Sequence, residues 1–265
     1  MFLEPIDFAK MYKEHKQKSV FKRKSSDEWD KKSKEMAPRM QKSHYVEDFI
    51  SKMKFDKDDV VLDVGCGPGT LAIPLAKSVK HVIAIDFSRK MLDELESFAS
   101  SQGVTNITTY LMGWDDDWDE LGDVDIVVAS RSIEVMDIQK ALQKITNIAT
   151  KACYVTYKTG GSFVDMEILD YIEKKIVTKP DFLYLPIILY KDGYLPKVDY
   201  IPTSSGSVRY TDEDEFVNSL IWSLGSLDES EQQKAKEYYE LYIKDATEAP
   251  KDSVWAFVSW DCGKV

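Results

Sequence analysis

Cysteine is scarce in this chain. Three residues, Cys66, Cys153 and Cys262, stand among 265. They are too few and too irregularly spaced for a zinc module or a disulfide framework, so no metal site is expected and reduced thiols are. No apolar run approaches the roughly 20 residues that span a bilayer. The opening MFLEPIDFAK carries acids where a secretory signal needs a basic end and an apolar stretch. A cytoplasmic location is therefore expected. Basic charge is in deficit, with 35 Lys and Arg against 46 Asp and Glu and a net charge of −11. A dedicated nucleic-acid binder carries the opposite sign, so nucleic acid is not the expected partner. Repeats and low-complexity tracts are missing too. What is present in quantity is apolar: 43% hydrophobic residues, with 12% aromatics, exclude global disorder.

Charge is unevenly spread. Residues 1–54 carry 14 Lys and Arg against 9 Asp and Glu, and the remainder is strongly acidic. Ile6, Phe8, Met11, Tyr12, Val20 and Phe21 recur at helical spacing, as do Tyr45, Val46, Phe49, Ile50 and Met53. Pro38 is expected to break the segment between them. The basic surplus reads either as a solvated helical face or as a phosphate or RNA contact.

From Asp59 the texture changes. The runs at 60–65, 81–86, 123–130 and 152–157 are β-branched and apolar, and 106–111 reads as one more strand at an edge. Helical stretches at 70–77, 88–99 and 137–149 lie between them. This alternation predicts an α/β chain with a doubly wound, mostly parallel sheet covered on both faces. Ligands then bind at the carboxyl edge of the strands. Beyond 160, helices are expected at 162–176, 182–191 (stopped by Gly193), 211–223 and 227–244. Ser226 and Glu229 fit a capping box for the last of these. Strands are expected at 197–201 and 254–260.

One stretch is chemically specific. In VLDVGCGPGT (61–70) a strand ends at Asp63, and Gly65, Gly67 and Gly69 build a tight turn before a helix. The spacing is G-x-G-x-G. A dinucleotide fingerprint needs glycine where Thr70 stands. A pyrophosphate wants a helix N-terminus and no carboxylate beside it. Asp63 instead suits a cationic, phosphate-free ligand. Asp86 closes the next strand, 23 residues on, where a carboxylate accepts both ribose hydroxyls.

These two stretches, VLDVGCGPGT and VIAIDFSRKML, resemble the first and second motifs of the class I S-adenosylmethionine-dependent methyltransferases. The resemblance is close over 60–158 and looser at the last strand. It implies a Rossmann-like sheet of seven strands, with the strand at 254–260 antiparallel. It implies S-adenosylmethionine as cofactor and S-adenosylhomocysteine as product. Asp63, Gly65 and Gly67 then line the methionine end, with Cys66 and Gly69 completing the turn. Cys66 reads as a fit to space and not as a nucleophile. Asp86 takes the ribose, Phe87 and Ser88 follow it against the adenosine, and Trp114 and Asp115 of MGWDDDW stand at the adenine. The loop VVASRSIEVMD lies beside the transferring methyl, with Ser130 on the cofactor side. It lacks the Asn-Pro-Pro-aromatic pattern of base-amine methyltransferases. Arg131 suits a planar anion on the acceptor, or pairs with Glu134 or Asp137.

Methyl transfer needs alignment and exclusion of water more than it needs a triad, and none is visible. Arg131, His44 and Tyr12 are the candidates for a catalytic role. His15 and His44 are each either a base or a solvated or packing histidine, and His81 is structural. Tyr12, Trp29 and Arg39 are candidates for reaching the pocket, although packing explains Trp29 equally well. Phe182, Tyr184, Tyr190 and Tyr194, with the helices of 207–250, are expected to wall the acceptor. The expected division is a helical lid (1–58), a cofactor core (59–160), an acceptor-side insertion (161–253) and a closing strand (254–265). The expected function is methylation of a small-molecule acceptor. The alternatives are RNA or protein methylation, a non-catalytic adenosyl-binding module and a nicotinamide oxidoreductase.

Overall fold

The computed structural model describes residues 5–40, 44–203, 210–246 and 253–264, the side chains of 34–40 excepted. Three helices come first: α1 (Phe8–Lys18), α2 (Ser26–Met40) and α3 (His44–Ser51). The alternating core follows with β1 (Val60–Val64), α4 (Ala72–Ala76), β2 (His81–Asp86), α5 (Arg89–Ser101), β3 (Ile107–Leu111), β4 (Val124–Ala129), α6 (Ile138–Ile148) and β5 (Ala149–Lys158). The chain continues through α7 (Met166–Tyr171), α8 (Tyr184–Lys191), β6 (Lys197–Thr203), α9 (Glu213–Leu224) and α10 (Glu229–Tyr238) to β7 (Ser253–Asp261).

The seven strands form one sheet in the order β3-β2-β1-β4-β5-β7-β6. β1 through β5 pair in parallel, and β7 runs antiparallel to both β5 and β6. This is the mixed sheet, with its single reversed strand at 253–261, that the resemblance implies. The apolar runs form central strands because both their faces are covered. On one face Leu62, Val64, Val127 and Tyr157 pack with Tyr12, Ile145 and Leu185, which come from α1, α6 and α8. On the other, Val61, Val82, Ile126 and Phe257 pack with Phe49, Leu75 and Leu92, from α3, α4 and α5. A third cluster joins α7, α9 and α10, and Phe21 is part of it. Strand order reverses between β1 and β4, which places the ligand crevice at the carboxyl ends of those two strands.

Three local expectations need correction. Helix α2 runs through Pro38 and ends two residues later at Met40. A proline in a last turn forfeits one backbone bond and does not end the helix at once. The helix expected over 162–176 shrinks to α7. It closes in a Schellman motif, with the Lys174 N–H on the Leu169 carbonyl and the Glu173 N–H on that of Asp170. Glu173 takes the left-handed conformation (φ 56°) that glycine usually supplies. Ion pairs to α10, Lys234–Glu173 at 2.7 Å and Lys174–Glu231 at 2.7 Å, hold it there. The capping box uses Asp228 and Glu231, not Ser226 and Glu229. Leu227 is buried in the same cluster as Leu224, and α10 begins two residues later than expected. A π-helical turn, Tyr239–Ile243, ends the helical stretch expected over 227–244.

Asp228→Ala is expected to cost about 1 kcal/mol of stability in urea unfolding, and Ser226→Ala almost nothing. Equal costs would return the cap to Ser226.

Candidate functional site

The glycine turn hangs from the end of β1 and is welded to β2. The N–H groups of Gly65 and Cys66 both reach the Ile85 carbonyl, at 2.8 and 3.1 Å. Gly65, Gly67 and Gly69 all have left-handed φ values. Gly65 is constrained further, because a Cβ there would lie 2.5 Å from Cβ of Ser132. Ser132 belongs to the loop after β4, and its hydroxyl donates to the Val64 carbonyl at 2.5 Å. The glycine is what lets the loops after β1 and β4 meet.

Two carboxylates stand under this turn. Asp63 is buried and receives the Ala72 N–H at the start of α4. Its Oδ2 has no hydrogen-bond partner, and neither has the buried hydroxyl of Thr70. Among the described residues only one other buried side-chain polar atom is orphaned, Oδ1 of Asp181. Burial first, and then the charge of Asp86, push the Asp63 carboxyl up to about 7. Asp86 accepts the Gly67 N–H and the Ser88 N–H, each at 2.9 Å. Burial raises its pKa against the pull of those backbone donors. Each carboxylate oxygen keeps a free lone pair for another donor. Two acids with an orphaned acceptor, in a cradle that a side chain would fill, fit a ligand bearing an ammonium and hydroxyl donors. They do not fit a pyrophosphate.

Cys66 is buried with its Sγ 3.6 Å from the Gly67 carbonyl. Burial and the two acids push its thiol pKa up, which leaves it without nucleophilic character. Ser88 caps α5 by accepting the Met91 N–H, and its hydroxyl donates to Asp30 of α2 at 2.5 Å. The Phe87 ring lies under the Arg23 guanidinium, 5.2 Å from it, and Arg23 pairs with Asp115 at 3.0 Å. Residues 23–26 and Glu28 thus line one cleft with Phe87, Gly113 and Asp115. Trp114 is buried, and its indole donates to the Ser132 carbonyl. It ties the loop after β3 to the loop after β4.

The loop after β4 is held from α3. The Tyr45 hydroxyl lies 2.7 Å from both the Ser130 and the Thr156 hydroxyls, and Thr156 also accepts the Arg131 N–H. Arg131 has left-handed φ (59°), a strained choice for a residue with a side chain. Its guanidinium sits 3.7 Å from the Tyr45 ring centroid and 5.0 Å from that of Trp255. It pairs with neither of the acids considered for it. Glu134 is engaged by Lys16 and Lys179. Asp137 caps α6 and lies 3.9 Å from Lys13.

The remaining candidates are dispersed. Tyr12 is fully buried, bonded to the Val135 carbonyl and to the Tyr157 hydroxyl. His44 projects into solvent beside Glu47. His15 packs edge-on against Tyr184, and His81 bonds Thr108. Trp29 meets Trp222 edge-on, stapling α2 to α9. The Arg39 side chain lies outside the described residues. Phe182 and Tyr194 are buried, Tyr184 packs on Tyr12, and Tyr190 is exposed. Sequence reasoning missed Arg23, Asp30, Tyr45, Lys158 and Lys179. None lies in a motif, and only the fold brings them to this edge.

The family described as "Methyltransferase domain" matches residues 61–151. An uncharacterized protein of Haemophilus influenzae is 32% identical over 270 residues, covering 100% of both chains. The YcgJ protein from Bacillus subtilis matches the fold with a TM-score of 0.56 at 15% identity, over 82% of this chain and 97% of that one. Magnesium protoporphyrin IX methyltransferase from Synechocystis, solved with bound S-adenosylhomocysteine, matches with a TM-score of 0.51 at 14% identity, over 84% and 82%. Residues 61–151 thus belong to a methyltransferase-domain family, and the whole sheet has the fold of these solved structures. No described helix is long and apolar enough to cross a membrane.

Gly65→Ala is expected to destabilise the fold by roughly 1–3 kcal/mol and to abolish cofactor binding, because the added methyl meets Ser132 in a left-handed backbone. Thermal melts and calorimetry read the two effects, and retention of full affinity would remove the turn from the site.

Proposed function

We propose that this chain is a methyltransferase acting on a small-molecule acceptor, and that the glycine turn with Asp63 and Asp86 binds the cofactor. The observation that carries the cofactor assignment is the orphaned Oδ2 of the buried Asp63, beside a turn with no room for a side chain. In this reading Asp63 faces the ammonium of the methionine end and Asp86 accepts the ribose hydroxyls. Phe87, Ser88, Trp114 and Asp115 bound the adenosine, and Ser130 bounds the side toward the methyl. Bound S-adenosylmethionine supplies a methyl already activated by its sulfonium.

The chain's own task is then to align the acceptor and exclude water. The Tyr45–Ser130–Thr156 network and the Ser132–Val64 bond fix the loop after β4, which supports alignment by a rigid edge. A general base is needed only if the acceptor carries a proton at neutral pH. The proposed lid, residues 1–58, contacts the adenosine side through Arg23 and Asp30. Residues 59–160 form the proposed cofactor core, and 254–265 close it. Residues 161–253 are the proposed acceptor side, fastened to the sheet by the core packing of Phe182, Leu185 and Tyr194.

Calorimetric titration of S-adenosylmethionine is expected to give micromolar binding, about −8 kcal/mol. Asp86→Ala is expected to lose roughly 1.5–3 kcal/mol of it, as for hydrogen bonds to a charged group. Unchanged affinity would remove Asp86 from the ribose.

Asp63 adds a pH dependence. With its carboxyl near 7 in the free protein, the group is largely protonated at pH 5.5. A cationic ligand requires the ionised form, so affinity is expected to fall as pH drops from 7 to 5.5, with release of one proton per ligand bound. Titrations in two buffers of different ionisation enthalpy count that proton. Asp63→Asn should abolish the release, and a pH-independent affinity in the native protein would dismiss the pairing.

A further inference from the structure

The carboxyl ends of β4 and β5 hold more positive charge than the described acids there neutralise. Glu134, in the loop after β4, is shared by two lysines. Lys179, whose side chain is fully buried, bonds one carboxylate oxygen, and the nearly buried Lys16 lies 3.5 Å from the other. A third lysine, Lys158, ends β5 half-buried and feels the Glu134 charge. Its side chain makes no described hydrogen bond or ion pair. Arg131 is the fourth cation. Its amide bonds Thr156, two residues before Lys158, and its guanidinium lies over Trp255, the cross-strand partner of Lys158. Two further acids lie near this group: Asp181 receives the Gly160 N–H, and Asp137, which lines a cleft with Lys16 and Glu134, caps α6 and lies 3.9 Å from Lys13; neither makes a described ion pair with any of the four cations.

Of the four cations at this sheet edge, the described ion pairs engage only Lys16 and Lys179, both on Glu134, in a chain whose net charge is −11. Removing an ammonium from water is costly unless an anion meets it, and one glutamate cannot meet three. The strain is visible at Lys179. Burial lowers its pKa to about 8, Lys16 and Lys158 push the same way, and only Glu134 opposes them. A site left positive at the edge where the fold binds ligands attracts an anion and raises its local concentration.

We infer that the methyl acceptor is a small oxyanion whose carboxylate or phosphate is received between Arg131 and Lys158, with Lys16 and Lys179 clamped on Glu134 behind it. The inference rests on the proposed methyl transfer to a small molecule and specifies its substrate class. The guanidinium fork offers paired N–H groups to a planar or tetrahedral oxyanion, while Lys158 adds a point charge.

The experiment uses the full chain saturated with S-adenosylmethionine, melted in increasing malonate, inorganic phosphate or malonamide, with sodium chloride balancing ionic strength. Malonate or phosphate is expected to raise the melting temperature beyond chloride, and neutral malonamide is not. A larger effect of malonate assigns a carboxylate, and a larger effect of phosphate assigns a phosphate. The apparent Kd is expected to rise about tenfold in Lys158→Met and in Arg131→Gln, and to stay within about threefold of the native value in Lys158→Arg. No effect beyond chloride, or an equal effect in the folded Met and Gln variants, overturns the inference. The stabilisation by S-adenosylmethionine alone is read in the same melts. Its presence without an anion effect sinks only the oxyanion, and its absence sinks the methyltransferase reading as well.

Discussion

Two buried acids share the end of this sheet, and each is held there by backbone. Asp63 stands one residue before the end of β1 and receives the first amide of α4, while Asp86 closes β2 and receives amides from the glycine turn and from Ser88. Burial disfavours the charged form of Asp63, and repulsion from the like charge of Asp86 adds to it, so its carboxyl is pushed up to about 7. The backbone cannot relieve that repulsion, because its donors are already committed. A cation can. The turn, the helix after it and the loop after β4 all take positions that leave one face of this pair open to a positively charged partner.

That arrangement separates the parts of the molecule legible in sequence from those that were not. Strands β1, β2 and β4 were plain because burial on both faces forces unbroken apolar runs. The glycine turn was plain because close backbone approach tolerates no other residue at Gly65. The end of α7 was hidden because Glu173, rather than glycine, takes the left-handed position, and two ion pairs to α10 keep it there. The capping box slipped by two residues because two overlapping patterns satisfied the same rule.

The site divides along the same line. Asp63 and Asp86 announce themselves by their distance from glycines. The aromatics do not. Tyr12 and Trp29 suggest pocket walls in a linear reading, yet one is locked to Tyr157 and the other to Trp222. Tyr45, with no motif around it, joins α3 to the ends of β4 and β5 through two hydroxyls. Lys158 and Lys179 lie 21 residues apart, and both feel the charge of Glu134. No spacing rule links residues whose common neighbour is a third element.

Two of the contacts that join the N-terminal segment to the loops after β2 and β3 differ in character. Arg23–Asp115 is an exposed ion pair, and such pairs contribute little and weaken as salt rises. Asp30–Ser88 is anchored on a fully buried serine that also caps α5 and donates its amide to Asp86. Ionic strength therefore loosens one end of the strap while leaving the other seated. The contact that salt leaves in place is seated on the same residue whose amide positions Asp86.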